Sequence, residues 1–328
     1  MAGLYEIAQE FKARLLRSER AAAGELLRAY SLAVRRIEGR VRELTAQIDA
    51  AGRQGEIISS GWLHERDRLT NLKREIIAEM QRFAQVASLR VAAEQRAARE
   101  LGQESAQTLI GEATGAPVAV RLGALDRSAV GAIAGFAADG SPLRELFAER
   151  GLTVARAVAE ELVAGVAEGA PLRVISSRIR TVMGGELARA LTVTRTEVLR
   201  SYRQATLETY EASAGVVIKW RWAATLTTRT CAMCWAMDGR EFDVKTPMHT
   251  HPNCRCVMLP VTRNAAPPRT GAERFADLEP GAQREILGPA QYEAFRKGEL
   301  NLNDLVGVRH SERWGVSRYE KPLSAILS

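Results

Sequence analysis

Apolar residues recur at helical spacing through the first third of the chain and predict two long helices. The first carries a heptad seam, in which apolar positions step alternately by three and four residues: Leu27, Tyr30, Val34, Ile37, Val41, Leu44 and Ile48. AGRQGE at 51–56 interrupts this pattern, and a second apolar face follows within 60–112: Leu69, Leu72, Ile76, Met80, Phe83 and Ala87. Two long helices joined by a short turn predict an antiparallel hairpin over 1–112. It would either cover the rest of the protein as a layer or dock onto a partner as an extended arm.

Shorter helical patterns follow, and we predict a compact helical region over 113–213. Its elements are a Gly- and Pro-marked crossing, a helix at 126–138, and further helices at 152–168, 172–183 and 186–212. Between the helices at 126–138 and 152–168, Ser141-Pro142 is predicted to start another helix, because proline is tolerated in a first turn. A Gly-Gly pair separates the last two helices.

The periodicity then changes from helical to alternating, which predicts a small β subdomain over 214–263. VVIKWRWAA at 216–224 alternates as a strand does, and a second strand lies at 257–261. Between them, Asp238-Gly239 is typical of a two-residue hairpin turn. The remainder, 264–328, is predicted as a C-terminal extension of short helices: 271–277, 280–287, 289–297 and 301–306. The fold class expected is mainly α with a small β element.

All four cysteines fall inside the β subdomain, within one stretch of 26 residues. Cys231 and Cys234 form a Cys-x2-Cys pair, whose tight turn brings two sulfurs to one side. Cys254 and Cys256 lie on one face if their segment is extended, because side chains alternate along a strand. His251 precedes this second pair. The spacing predicts a structural metal site, with zinc the most probable ion, that staples a small β element.

Several alternatives to this site are open at the level of sequence. Two disulfides or four buried free thiols fit the cysteine count, although a reducing cytosol favours a metal. The ligands could be four thiolates, or His251 could replace one thiolate of the Cys-x-Cys pair, with His249 a polar loop residue. A catalytic zinc needs an open position and a general base. The nearby acids are Asp238, Glu241 and Asp243, and the turn explains the first, so no enzyme is expected.

Charge and aromatic content bear on possible partners. The net charge of +7 over 328 residues permits nucleic-acid contact without demanding it. Trp220, Trp222 and Trp235 could form a stacking platform for single-stranded nucleic acid, but packing around a small core is the favoured interpretation. The sequence contains no run of 18 apolar residues, so we expect no membrane partner and a soluble chain.

The cysteine stretch resembles the phage head morphogenesis family, the minor head proteins similar to the Mu F protein. The matching residues are Arg229-Thr230-Cys231, Cys234, Asp238-Gly239 and His251-Pro252-Asn253-Cys254-Arg255-Cys256, after a helix with Arg195-Thr196-Glu197. The resemblance covers about 190–306 and includes the later piece EILGPAQYEAFRKGELNLNDLV. One position departs from the family pattern, because Thr227 stands where an aspartate is usual. If that aspartate caps the turn, the Thr227 hydroxyl would do so more weakly.

The resemblance implies a minor capsid protein of a tailed bacteriophage that associates with the portal vertex. It would act in head assembly and in genome packaging or ejection. Partners would be the portal protein, other capsid or scaffolding proteins and the packaged double-stranded DNA. The protein would pass from the host cytoplasm into the virion. Candidate partner or DNA contacts are Arg195, Glu197, Arg221, Arg229 and Arg255. The alternative function is a zinc-stabilised nucleic-acid-binding protein.

Overall fold

The computed structural model describes residues 2–115, 134–137, 140–311 and 315–327. These residues form two compact units, each built from separate stretches of chain. Unit 1 consists of Met1–Ser18, Glu94–Ala134 and Arg195–Ser328, and unit 2 consists of Glu19–Ala93 and Gly135–Thr194. The crossing and the helix predicted over 113–138 lie almost wholly outside the described residues.

Five helices occupy the described residues up to 212: α1 (Ala2–Arg53), α2 (Ser60–His64), α3 (Arg68–Thr114), α4 (Leu143–Ala167) and α5 (Leu172–Ala212). Two long helices with a break after Arg53 confirm the predicted pattern. The division of α5 at Gly184-Gly185 is wrong, because the helix continues through both glycines. A glycine inside a helix costs only about 1 kcal/mol relative to alanine. Burial of Met183 and Ala190 on either side stabilises the helical path.

Unit 2 has an aromatic and aliphatic core. The ring of Phe83 lies edge-on to Tyr30 at 5.0 Å and to Phe147 at 6.4 Å. The predicted apolar face of α3 is buried throughout, but on α1 Leu27 is 47% exposed while Leu26 is fully buried. A straight helix drifts by roughly 20° per heptad relative to a 3.5-residue seam. At the N-terminal end of the seam, the buried residue is therefore Leu26 and not the predicted Leu27.

Unit 1 contains a three-stranded antiparallel sheet with strand order β2-β1-β3: β1 (Val217–Ala223), β2 (Glu241–Asp243) and β3 (Val257–Thr262). The predicted hairpin turn at Asp238-Gly239 is wrong. A short helix, α6 (Ala232–Met237), follows β1, and Gly239 takes a left-handed conformation at φ 83° where this helix ends. Every residue of α6 is buried. The helical turn therefore gains core packing that an exposed hairpin would lose.

The C-terminal part of unit 1 mixes helices with a second sheet: α7 (Gly271–Ala276), α8 (Pro280–Arg296), β4 (Val306–Ser311) and β5 (Gly315–Glu320). The backbone of α8 leaves helical geometry at Gly288, where φ is 72°, so the predicted break between the helices at 280–287 and 289–297 is confirmed. The β4–β5 hairpin was missed. Val308 and Val316 are apolar but exposed, so the strands lack the apolar–polar alternation that is typical of a half-buried strand.

The beginning of α1 packs into unit 1. Ala8 and Leu15 are buried in one cluster with Leu199 of α5 and Val257 of β3. The Tyr5 hydroxyl donates a hydrogen bond to the carbonyl of Ala224 at 3.1 Å. Residues distant in sequence thus meet beside the cysteine stretch. No helix in the described part of the chain is both long and apolar enough to cross a membrane.

Candidate metal centre

The local fold brings the four cysteines together from two directions. Cys231 is the N-cap of α6, and Cys234 lies in the first turn of the same helix. Cys254 and Cys256 come directly before β3, and both are 3% exposed. Arg255 between them is exposed, so the side chains alternate as the sequence predicts, although this segment is not itself paired as a strand. The sheet and α6 together therefore turn four thiols inward.

The candidate ligand atoms form two overlapping triads. One is Cys231, Cys234 and His251, and the other is Cys234, Cys254 and Cys256. Within each triad all ligand atoms lie within 4.8 Å of one another. The Cys231 and Cys234 sulfurs lie 3.3 and 3.4 Å from Nε2 of His251, and Cys234 Sγ lies 3.9 Å from Cys254 Sγ. Cys234 belongs to both triads and is the centre of the cluster.

These distances fit a tetrahedral ion better than sulfur–sulfur bonds. Zn–S bonds of about 2.3 Å and Zn–N bonds of about 2.0 Å give tetrahedral edges of roughly 3.5–3.8 Å. A disulfide would hold two sulfurs about 2.05 Å apart. All four cysteines are free, so the disulfide alternative is wrong. The cysteine and histidine donors match a structural zinc site, and any other soft divalent ion would use the same atoms.

His251 is oriented as a metal-binding histidine is. Its Nδ1 lies 2.7 Å from the carbonyl oxygen of Pro252. Because a carbonyl can only accept, Nδ1 carries the proton, and Nε2 faces the sulfurs. Metal-bound histidines commonly make this bond with the other ring nitrogen. His249, by contrast, lies outside both triads, and burial lowers its pKa.

Metals bind the thiolate form of cysteine, and the four thiols differ in how readily they reach it. Hydrogen bonds with Cys231 and Cys254 raise the pKa of Cys234 well above its ordinary value. A hydrogen bond with Cys234 lowers the pKa of Cys256, but contact with Cys254 and burial outweigh it and raise that pKa well above its ordinary value. Hydrogen bonds from Cys234 lower the pKa of Cys231 to about 5 and the pKa of Cys254 well below its ordinary value. Burial lowers the pKa of His251, but hydrogen bonds and charge from Cys231 and Cys254 outweigh burial and raise it to about 10. The positive charge of Arg203 also lowers the pKa of Cys254.

The five candidate contact residues have different surroundings. Glu197 is fully buried and pairs with Arg200 at 2.6 Å, while Arg221 is 6% exposed and pairs with Glu241 at 2.7 Å. The guanidinium of Arg195 donates to the Asn253 side chain at 3.1 Å, at the loop that carries the second cysteine pair. The exposed members of the set are Arg229 and Arg255.

The tryptophans do not form a stacking platform. Trp220, Trp222 and Trp235 are all 2% exposed or less. Trp220 stacks on Phe242 with ring centres 4.5 Å apart, and its indole N–H donates to the carbonyl of Thr246. The three indole rings are buried in the core beside the cysteines, which confirms the favoured interpretation that they pack around a small core.

The loop before Cys231 is closed by two threonines. The Thr230 N–H donates to the carbonyl of Thr227 at 2.9 Å, and the Thr227 N–H donates to the Thr230 hydroxyl at 3.2 Å. The Thr227 hydroxyl itself faces that of Thr230 at 3.4 Å. The turn is therefore closed by hydrogen bonds of both Thr230 and Thr227, the residue at the position where the family has aspartate.

The Asp238 carboxylate makes contacts with two other segments of the chain that the sequence did not predict. Its carboxylate accepts the Ala224 N–H at 2.8 Å and faces Arg274 of α7 at 3.0 Å, and the residue is 4% exposed. Burial raises the pKa of this carboxyl group, while the bond to Ala224 and the charge of Arg274 act against burial. Asp238 thus ties the end of β1, the end of α6 and the start of α7 together.

Replacing Asp238 with alanine is expected to destabilise unit 1 by about 2–3 kcal/mol, because the Ala224 N–H is left buried without its acceptor. Asp238→Asn keeps one acceptor and should cost less. Asp277→Ala is the control, because its ion pair with Arg269 is exposed and contributes little to stability. Urea unfolding measures all three. Equal losses for the Asp238 and Asp277 alanine variants would contradict this role.

The comparison with protein families finds a match over about a third of the chain. Residues 156–259 match the family model described as Phage Mu protein F like protein, and this segment holds Cys231, Cys234, Cys254, Cys256 and His251. The match confirms the resemblance to the phage head morphogenesis family. It covers α5, β1, α6, β2 and the first half of β3, along with part of α4. No curated protein and no solved structure matches the chain.

The family match bears on location and partners at a coarse level. A phage head protein is associated with the virion, and the family suggests other capsid components as partners. The family match includes the whole cysteine stretch but leaves out α7, α8 and the β4–β5 hairpin. Those elements pack on α6, since Phe275 and Leu287 share a buried cluster with Trp235, and Val306 at the start of β4 packs against the same cluster.

Proposed function

We propose that the protein is a minor capsid protein at the portal vertex of a tailed bacteriophage. In this role it acts in head assembly and in genome packaging or ejection. The observation that carries the proposal is the family match over 156–259, which contains the complete cysteine and histidine cluster. We propose a structural role and no catalytic one. Of the nearby acids, Asp238 and Glu241 bond to arginines, and Asp243 accepts the Lys245 N–H at 2.8 Å.

The cluster is proposed to hold one zinc ion. Cys234 would be a ligand in any arrangement, because it belongs to both triads. Cys231 and Cys254 would bind beside it, with either His251 or Cys256 as the fourth ligand. A bound zinc would join α6 to the segment before β3 and so fix two pieces of chain about 20 residues apart. Such a staple suits a small sheet with limited core.

The test of the proposed function is deletion of the gene from the phage that encodes it. Loss of infectious particles, with heads that lack DNA or fail to eject it, is expected. Wild-type protein supplied in trans should restore infectivity and be found in purified virions together with the portal protein. Mass spectrometry of virions and co-purification with the portal protein measure the two associations. Normal particle yield and infectivity in the deletion strain would refute the proposal.

A second candidate is nucleic-acid binding, and one observation favours it. Arg229 and Arg255 are exposed beside the cluster, and neither forms an ion pair within the described ranges. Phosphate contacts of this kind give affinity that falls steeply with salt. Fluorescence anisotropy with duplex DNA at several salt concentrations tests it. Binding that weakens with salt and falls further in Arg229→Ala/Arg255→Ala would support DNA contact, and absence of binding at low salt would exclude it.

A further inference from the structure

The second cysteine pair lies in a segment that the sheet does not hold. Residues 250–256 come directly before β3 and form no strand. Cys254 and Cys256 are nevertheless buried, each 3% exposed. Buried backbone carbonyl groups need a hydrogen-bond donor, which a neighbouring strand would normally supply. The position of these two candidate ligands is therefore fixed by donors from another element.

Arg203 of α5 supplies those donors. Its Nη2 donates to the carbonyl of Cys254 at 2.5 Å, and its Nε donates to the carbonyl of Cys256 at 3.0 Å. Its Nη1 donates to the Thr250 hydroxyl at 3.2 Å, and the residue is 5% exposed. A guanidinium group is planar and rigid. Three bonds from this one group therefore fix three points of the segment relative to one another.

Two further residues of α5 hold the middle of the same segment. The Arg195 guanidinium donates to the Asn253 side chain at 3.1 Å, and the Asn253 N–H donates to the Thr196 hydroxyl at 3.3 Å. Asn253 has a φ of 62°, a left-handed conformation that asparagine adopts more readily than most residues. Arg195 and Thr196 lie about two helical turns before Arg203, on the same face of the helix. One face of α5 thus bonds to the segment at four residues: Thr250, Asn253, Cys254 and Cys256.

Helix α5 is itself held in place next to Arg203 by contacts that involve no cysteine. The Tyr202 hydroxyl donates to the Ser105 hydroxyl of α3 at 2.8 Å, and Tyr202 is 2% exposed. One turn later, the Thr206 hydroxyl donates to the Gly102 carbonyl of α3 at 3.3 Å. The backbone that carries Arg203 is therefore packed against α3. Its position does not depend on a bound ion.

We infer that this face of α5 holds Cys254 and Cys256 in the metal-binding conformation before an ion binds, with Arg203 as the main positioning residue. Arg203 bonds to the backbone of the ligands and does not bind the ion. Ligands that are already in place do not have to be ordered on binding, so affinity is higher. The same face gives Arg195, a candidate partner contact, a role inside the molecule. The inference rests on the proposed zinc site.

The experiment titrates the reduced full chain and Arg203→Met with Co²⁺, whose visible absorption reports thiolate coordination, and then displaces it with Zn²⁺. We expect Arg203→Met to bind both ions at least about tenfold more weakly, on the scale found when residues that support metal ligands are replaced. The Co²⁺ spectrum should change as well, because the second cysteine pair is no longer fixed. Arg296→Met is the control, because this arginine is exposed on α8 and pairs only at the surface with Glu293. It should bind both ions as the wild type does.

Arg203→Lys separates geometry from charge. Lysine keeps the positive charge but lacks the rigid fork that reaches both carbonyl groups. We expect it to recover only part of the affinity that Arg203→Met loses, and full recovery would overturn the inference. Should Arg203→Met not fold, Arg203→Lys is compared directly with the wild type. Weaker binding then supports the inference, and equal binding overturns it.

The outcomes also separate the inference from the metal site itself. Circular dichroism first shows that each chain is folded without metal. If Arg203→Met is less stable but keeps wild-type affinity and the wild-type Co²⁺ spectrum, Arg203 has only a structural role, and the inference is overturned while the site remains. If the wild type binds neither ion, the proposed zinc site is wrong and the inference is overturned with it.

Discussion

Cys234→Ser is expected to abolish stoichiometric zinc binding and to cause the largest loss of stability of any single substitution at the cluster. Cys234 is 2% exposed and is the one residue common to both ligand triads. A serine hydroxyl does not deprotonate near neutral pH and binds zinc poorly. Structural zinc contributes on the order of 10 kcal/mol in small metal-dependent domains. Here the loss should be smaller, because apolar clusters also stabilise unit 1.

Metal content per chain and thermal unfolding with and without a chelator measure this effect. Wild-type protein should lose thermal stability on chelation, and Cys234→Ser should already unfold at the lower temperature and respond little to the chelator. His251→Gln and Cys256→Ser are the matched variants, because each removes one of the two candidates for the fourth ligand. The variant that retains zinc identifies the residue that is not a ligand. A Cys234→Ser protein that retains one zinc per chain would contradict a centre built on this residue.

Gly102→Ala is expected to destabilise the protein by about 3 kcal/mol. Gly102 lies on α3 where this helix crosses α5, and an added Cβ would lie 2.3 Å from the carbonyl oxygen of Tyr202. Backbone cannot move aside as a side chain can, so the helices must separate. The Thr206 hydroxyl, which lies 3.3 Å from the Gly102 carbonyl and 2.9 Å from that of Tyr202, would lose its geometry as well. Overpacking in a tight core costs about 1–3 kcal/mol, occasionally more.

Gly185→Ala on α5 is the control for this prediction. A Cβ there meets no atom within 4 Å, and alanine is favoured over glycine inside a helix by about 1 kcal/mol. The control should therefore raise stability slightly while Gly102→Ala lowers it. Chemical unfolding compares the two. A Gly102→Ala protein as stable as the wild type would show that the two helices can separate at little cost.

Local patterns were enough to predict most elements of the fold, and tertiary contacts decided the rest. The long helices and the strand at 216–224 follow from periodicity in consecutive residues. The helix α6 does not, because a six-residue helix is stabilised by burial on every side and leaves little periodic signal. The continuous α5 was missed because the helix-breaking tendency of two adjacent glycines is weaker than the packing on both sides of them.

In the candidate metal centre too, local patterns predicted some residues and tertiary contacts decided the others. Cysteine spacing indicated the five candidate ligands, because local turns and alternation place those sulfurs. Arg203 was not predicted, because it reaches the carbonyls of Cys254 and Cys256 from a helix about 50 residues earlier in the sequence. Helical spacing predicts that Glu197 pairs with an arginine, and the pair with Arg200 three residues later confirms it. The burial of Arg221 depends on Glu241 of another strand, which local spacing does not identify.

The discontinuous make-up of unit 1 constrains how the chain can be synthesised and folded. Residues 2–18 are translated some 200 residues before their partners in α5, β1 and β3. Until then the apolar face that includes Ala8 and Leu15 is exposed on a nascent chain. Contacts of such long sequence separation form slowly. Unit 1 therefore completes folding only after most of the polypeptide has left the ribosome, and a chain interrupted before β3 presents that apolar face to other molecules.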